Sequence, residues 1–413
     1  MSDREKKQTS LAAVGPATTV RRAAVWMILI TTVLDIMAMG IIMPVLPVLI
    51  KQITGSLASA GLWTGVLGSL WAVMQFLCAP VVGGLSDHFG RRPVILVSTA
   101  GLALDSLLMA LAPDLWWLVA GRIVGGMTTA TGATIFAYMT DVTAPEARTR
   151  AFGLVGAAMS AGFVAGPALG GLLGEWSPRL PLWVAAGLAA CAFLYGWFVL
   201  PESLPPERRA AFAWARANPL GALKLLASDR ALAGLSAGFF LIGSAGRIVT
   251  SVFVLYAGHR HGMGTMAVGL LLALAGVLDF LMQGVVVGPV VRRLGDRGTM
   301  LLGLAGRTLG MLAMGLAPNG LLFALALVPN SMWGLAEPAL RAQMAARVSE
   351  SEQGRLQGAS HCVQSLSGIA GPVLFGWVYA LTSASLPGLA FALAGAMVLA
   401  ALLLCAAATR PAR

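Results

Sequence analysis

Apolar residues in this chain run in blocks of about twenty, and the polar residues collect in short clusters between them. A bilayer core about 30 Å thick needs roughly 20 apolar residues per crossing helix. Twelve stretches reach that length: 23–50, 62–84, 93–112, 115–139, 151–174, 181–200, 231–257, 266–290, 299–317, 320–344, 357–381 and 384–408. The pattern predicts an all-α membrane protein with twelve transmembrane helices. Composition agrees: 58% of the 413 residues are hydrophobic and only 11% charged, far from the balance of a soluble domain. The polar, basic first 22 residues run into a span longer than a signal peptide's apolar core, so the tail is expected to stay uncleaved in the cytosol.

Charge then sets the orientation. Of the 28 basic residues, 22 fall in segments on the N-terminal side of the membrane, only Lys51, Arg179 and Arg260 on the other side, and Arg122, Arg247 and Arg307 within spans. Basic loops stay inside, so both termini are expected in the cytoplasm and the protein in the inner (cytoplasmic) membrane. The formal charge of +11 belongs to that rule. No basic patch interleaved with aromatics points to nucleic acid. Cys78, Cys191, Cys362 and Cys405 stand singly in apolar runs, as small buried hydrophobes rather than metal ligands or disulfides.

The chain also repeats itself at an offset of 205 residues, the distance from Gly83 to Gly288. The same register carries Gly90 and Arg92 onto Gly295 and Arg297, Ala112-Pro113 onto Ala317-Pro318, Arg150 onto Arg355, and Ala165-Gly166-Pro167 onto Ala370-Gly371-Pro372. Parallel repeats of this kind belong to rocking transporters. They predict two pseudo-symmetric six-helix bundles, 23–200 and 231–408, joined by the cytoplasmic loop 201–230, with cytoplasmic tails 1–22 and 409–413.

Two short stretches carry most of the mechanical information. "GGLSDHFGRRPVIL", Gly83 to Leu96, lies between the second and third spans, with a degenerate copy, "GPVVRRLGDRGTML", between the eighth and ninth. Its glycines permit a tight turn and close helix approach. Asp87 is expected to accept backbone N–H groups at a helix N-terminus and Arg91 to bridge to Asp141, an arrangement that latches the bundles at the inner face and releases as they rock. "AGFVAGPALGG", Ala161 to Gly171, places Gly162, Gly166 and Gly170 in a small-residue stripe for helix contact, while Pro167 removes a helical hydrogen bond and bends the span.

The first stretch resembles motif A of the major facilitator superfamily, and the second resembles motif C, a signature of drug/H⁺ antiporters. "LDIMAMGIIMPVLPVL", "LDSLLMALAPDLWWLVAGRIVGGMTTATGA" and "GPALGGLLGEWSPRLPLW" are similar to the Tet-type tetracycline/H⁺ antiporters across the N-terminal half and, more weakly, beyond it. The resemblance implies functional roles for Asp35, Gln75, Asp87, Arg91, Asp105, Arg122, Asp141 and Gln283. It also implies that tetracycline would travel as a cationic complex with a divalent metal. The C-terminal half departs from the pattern: Asp279 stands where the family has a histidine and Arg307 where it has a proton-linked carboxylate. Arg247 and Glu337 occupy positions the family leaves uncharged.

Seven charges therefore lie inside spans, each costing at least about 2.5–3.5 kcal/mol at a helix centre. At about 1.5 Å rise per residue, Asp105 and Arg122 come to similar depths on antiparallel neighbours and are expected to pair. Asp35, near mid-membrane beside Gly40 and the Pro44/Pro47 pair, is expected to share proton coupling with them. Arg247, Asp279 and Arg307 come out at comparable depths, with Asp279 as a structural or substrate-orienting acid between two arginines. Together with Gln75 and Gln283 they make the expected substrate cavity. Glu337 is placed near the inner end with Asp87, Arg91 and Asp141 as an inner gate.

No nucleotide-binding loop, paired catalytic carboxylates, Ser/His/Asp set or metal cluster is visible, so neither ATP-driven pumping nor an enzyme is expected, and no cofactor. The expected function is proton-coupled export of an amphipathic small molecule by a monomer in the bilayer. A symporter importing a small organic solute and a non-transporting membrane sensor are the alternatives.

Overall fold

A computed structural model describes residues 16–128, 131–144, 147–209, 223–226, 229–349 and 352–410. The basic tail residues Arg4, Lys6 and Lys7 and the loop residue Arg216 lie outside the described residues. Helix α1 comprises Pro16–Ile42 and Leu46–Thr54, broken where Pro44 and Pro47 interrupt the hydrogen-bond ladder. Leu57–Phe89 is α2, Arg91–Leu111 α3, Leu115–Thr128 with Thr131–Val142 α4, Arg148–Gly174 α5 and Leu180–Val199 α6. After the connection, α7 comprises Arg230–Gly246, Ile248–Ser251 and Phe253–His261. Helix α8 starts at Thr265 and α9 ends at Leu316; they form one continuous run that turns at Gly295. Gly320–Leu325, Leu327–Ser331 and Trp333–Ala345 make α10, Gln353–Thr382 α11 and Leu389–Ala408 α12.

Ten helices among the described residues are long and apolar enough to cross a membrane. One of them is the 52-residue run holding both α8 and α9, and α4 is described in two pieces. The fold is therefore twelve crossing helices, and no strand occurs among the described residues. Phe198 and Leu316 are each 79% exposed, which water would penalise and lipid does not. Cys362 and Cys405 are buried as expected, but Cys78 is only partly so and Cys191 is exposed on α6.

The sequence repeat is visible in the backbone. Gly90 and Gly295, equivalent at the 205-residue offset, both have positive φ, 107° and 66°, where a Cβ would be strained. Three principal packing pairs in the first six helices recur in the second: α1 with α5 and α7 with α11, α3 with α6 and α9 with α12, α3 with α4 and α9 with α10. The two bundles join through α2 against α11 and α5 against α8.

Those two seams are built on glycine. A Cβ on Gly65 would run into the Pro372 carbonyl of α11, and one on Gly269 would run into the Pro167 carbonyl of α5. These are equivalent contacts on opposite sides of the molecule. They lie at the end far from the termini. Toward the termini, a Cβ on Gly83, Gly153, Gly156, Gly284 or Gly358 would meet nothing within 4 Å. The bundles are thus pressed together at the far end and parted at the terminal end. Gly65→Val should hold the far end ajar by pushing on Pro372. Maleimide labelling of Ala72→Cys, buried beside Gly368 of α11, is expected to speed up several-fold in that background; unchanged labelling would mean the seam does not depend on this contact.

Candidate functional site

The buried charge of the first bundle is a close pair. Asp105 on α3 is 1% exposed, and Arg122 Nη2 on the antiparallel α4 donates to its Oδ2 at 2.6 Å. The same nitrogen approaches the Met109 sulfur at 3.1 Å. Gly121 and Gly125 make room for the acid: a Cβ on either would come within 2.8 Å and 2.5 Å of its carboxylate oxygens. Asp105 therefore lies in a slot cut into α4, held by a charge-assisted hydrogen bond. Asp35 is buried on α1. Gln75 is half-buried on α2.

The small residues of α5 bear directly on the helix that carries Asp35. Gly162 lies against Val33 and Ile36, Gly166 against Gly40, and Gly170 against Ile41. The stripe seats α1 on α5 within one bundle, and Pro167 exposes the carbonyl that α8 packs against.

In the second bundle the charges are arranged differently from the depth estimate. Arg307 is buried on α9, its Cζ 4.3 Å from the centroid of the Trp333 ring, and the charges that act on it are Asp279 and Glu337. Asp279 in turn senses Arg307 and Glu337, not Arg247. Arg247 turns away to α11, where Nη2 reaches the Gln364 carbonyl at 3.4 Å and the side chain rests on Gly368 and Gly371. The expected Arg247–Asp279–Arg307 trio is replaced by Asp279–Arg307–Glu337. Straight-helix geometry failed because α7 is interrupted at Arg247 and Val252, and α10 at Ala326 and Met332.

Glu337 is accordingly not part of the inner-gate cluster. It accepts from Arg341 at 2.9 Å and from the Gln364 amide at 3.3 Å, and belongs with the cavity charges. Three arginines, Arg247, Arg307 and Arg341, and two acids, Asp279 and Glu337, leave this region net +1.

A cavity of about 590 Å³ lies between α1, α5 and α8. Met39, Met43, Phe163 and Phe280 give it adaptable apolar walls, and Asp279 and Gln283 supply polar groups. Next to Asp279 the ladder of α8 widens into a π-helical turn, Met282–Val286. Such turns recur at functional sites, and this one carries Gln283 at the cavity wall.

At the terminal end, Arg91 gathers the motif between α2 and α3. Its Nη1 donates to Asp87 Oδ1 at 2.5 Å and to Ser86 at 3.0 Å, and its Nε to Asp141 Oδ2 at 3.3 Å. Asp87 ends α2 and does not cap the next helix. Glu202 does that, accepting from the backbone N–H groups of Arg91 at 2.9 Å and Arg92 at 3.3 Å. Arg92 also donates to the Trp197 carbonyl. All these partners lie before residue 203, so among the described residues the cluster ties α2, α3, α4 and the segment after α6 together and does not bridge the bundles. A lone acid directly after the sixth span was the only sequence signal for Glu202.

The Major Facilitator Superfamily model matches residues 28–372, with a second, overlapping match over 268–413. The chain belongs to the Major Facilitator Superfamily. It is 39% identical to the class C tetracycline resistance protein of Escherichia coli over 379 residues, 92% of this chain and 95% of the relative. It is 40% identical to the class G tetracycline resistance protein of Vibrio anguillarum, covering 86% and 90% of the two chains. The crystal structure of a human organic anion transporter superposes with a TM-score of 0.66 at 25% identity, covering 93% of this chain and 99% of that one. A nucleoside transporter superposes with a TM-score of 0.80 over 94% and 100% of the chains; at 13% identity this speaks to the fold alone.

As a superfamily member the chain is a multi-pass membrane transporter, and the contacts across its far end acquire a mechanical meaning. Glu175, at the end of α5, accepts from the Met266 N–H at 2.8 Å and the Thr265 hydroxyl at 3.2 Å. One bundle thus caps the first turn of α8 in the other. Sequence reasoning passed over Glu175 because an acid in a short loop has no distinguishing pattern.

The contacts of Arg91 are testable in the same terms. Arg91→Ala removes the partner of both Asp87 and Asp141 and leaves two carboxylates near each other. A several-fold change in labelling of a cysteine at Gly153, which faces open space in this structure, is expected. Wild-type labelling would reduce Arg91 to a membrane-side anchor.

Proposed function

We propose that this transporter exports amphipathic small molecules in exchange for protons. The observation that carries the reading is the pair of separate charge groups within its spans: Asp105 with Arg122 in one bundle, and Asp279, Arg307 and Glu337 in the other. Charges placed in spans are costly and mark substrate or proton paths. The relatives named for tetracycline resistance supply the direction, because a membrane transporter that confers resistance must carry drug out. Asp35, Asp105 and Arg122 are assigned to proton coupling. Gln75, Asp279, Gln283 and Arg307 face or flank the substrate route, with Arg247 supporting α11. Asp87, Arg91 and Asp141 act at the inner end, and Gly162, Gly166, Pro167 and Gly170 seat α1 on α5.

The unit of function is a monomer in the inner membrane with both termini cytoplasmic. Bundles 23–200 and 231–408 rock about the two glycine seams, linked by 201–230 and flanked by tails 1–22 and 409–413. The parted terminal end then faces the cytoplasm and admits substrate. The test is a pH-sensitive dye in inside-out vesicles. Proton release on adding substrate marks exchange, proton uptake with the substrate marks symport, and silence across a panel of tetracyclines, phenicols and cationic drugs marks a sensor.

A further inference from the structure

Arg307 carries a guanidinium that the chain itself leaves largely unused. The residue is 5% exposed, and its Nε is buried with no hydrogen-bond partner. Asp279 and Glu337 act on it through space without a hydrogen bond, and Glu337 is already engaged by Arg341 and Gln364. Trp333 stacks on one face, and Nη2 lies where a Cβ on Gly246 would come within 2.8 Å. A guanidinium has five N–H donors in a fixed fork, and leaving them unmatched in a site poor in water is unfavourable. The complement to that fork is a planar oxyanion. No acceptor from the described residues provides one.

Arg307 does not itself line the cavity between α1, α5 and α8, but Gly334, the residue after Trp333, packs against Asp279 and Gln283, which do, and that cavity says what the oxyanion would be attached to. Its walls are methionine, phenylalanine and glycine, its volume of about 590 Å³ suits a drug-sized body, and its polar lining includes Asp279, whose field reaches Arg307. A second negative charge on the ligand would face Asp279, which disfavours dianions.

We propose that Arg307 is an anion seat, binding the carboxylate or a comparably acidic oxygen of an amphipathic organic monoanion whose apolar body fills the cavity between α1, α5 and α8. Trp333 is a positioning residue that fixes the plane of the guanidinium. The proposal rests on the transporter reading of the same site and narrows its substrate class.

The test uses a matched pair of probes, 1-naphthaleneacetate and its neutral amide, and calorimetric binding to the purified full-length protein in detergent. Wild type is expected to bind the acid at least tenfold more tightly than the amide. Arg307→Gln should bring the acid down to the level of the amide and leave the amide unchanged. Equal affinities in wild type, undetectable binding of the acid, or a preference that survives Arg307→Gln would overturn the assignment. If thermal melting shows Arg307→Gln unfolded, Trp333→Leu carries the comparison: a several-fold drop for the acid alone supports the seat, and an unchanged acid affinity overturns it. These isotherms need no gradient. Failure of substrate-triggered proton release therefore overturns the exchange reading and leaves the comparison standing, whereas a lost acid preference with intact proton release overturns the seat alone.

Discussion

Asp105→Asn is expected to abolish proton-driven efflux while the protein still inserts in the membrane. The acid sits in a slot between Gly121 and Gly125, so asparagine, nearly the same size, fits without displacing α4. What it removes is the charge opposite Arg122. Breaking a buried ion pair from one side costs about 3–5 kcal/mol, enough to lower the melting temperature measurably while a twelve-helix fold survives. A proton-coupling role predicts more than that loss: efflux falls to background in vesicles with an imposed pH gradient, while gradient-free exchange of substrate for substrate persists. Asp35→Asn is expected to lose gradient-driven efflux and keep exchange in the same way. Gradient-driven efflux at wild-type rates in either variant would take that residue out of coupling and leave it a structural part. Gly125→Ala offers a milder control, since its Cβ would press on the Asp105 carboxylate without altering any charge.

Magnesium–tetracycline is expected to be a poor substrate despite the relatives' names. The position that resembles the helix-9 carboxylate of the Tet pattern is Arg307, and with it Arg247, Arg341, Asp279 and Glu337 sum to +1. Against a cationic complex, one uncompensated like charge near 8 Å costs on the order of 2 kcal/mol at an effective dielectric of about 20, which is roughly a thirtyfold loss of affinity. Vesicle uptake of tetracycline with Mg²⁺ should therefore fall well below that of the class C relative measured side by side, and phenicols or amphipathic acids should be carried in preference. Arg307→Asp reverses the local charge and is expected to raise tetracycline uptake and depress that of acids. High-level, Mg²⁺-dependent tetracycline uptake by the wild-type protein would sink this prediction while leaving proton exchange intact.

Much of this molecule was legible along the chain because the bilayer enforces one-dimensional rules. Span length, the inward bias of arginine and the 205-residue repeat depend on counting, and counting survives folding. The pairing of Asp105 with Arg122 was equally accessible, since the helical stretches from each residue to their common short turn are uninterrupted and depth alone brings the partners level. Gly90 and Gly295 show the same logic in the backbone: two copies of one turn motif both take a positive φ.

What the sequence determined by itself is thus the class, the number of crossings and their expected orientation, the repeat and the family resemblance, all set by local hydropathy and by charge at loop level. Only the tertiary structure decided which charges meet. Arg247 and Glu337 exchanged their expected places because α7 and α10 are interrupted, and each interruption resets both the depth and the facing direction that a straight 1.5 Å rise presumes. Glu202 and Glu175 acquired their capping roles because helices distant in sequence end beside them. A helix N-terminus has unmatched N–H groups wherever it lies, but which carboxylate reaches them depends on how the bundles pack.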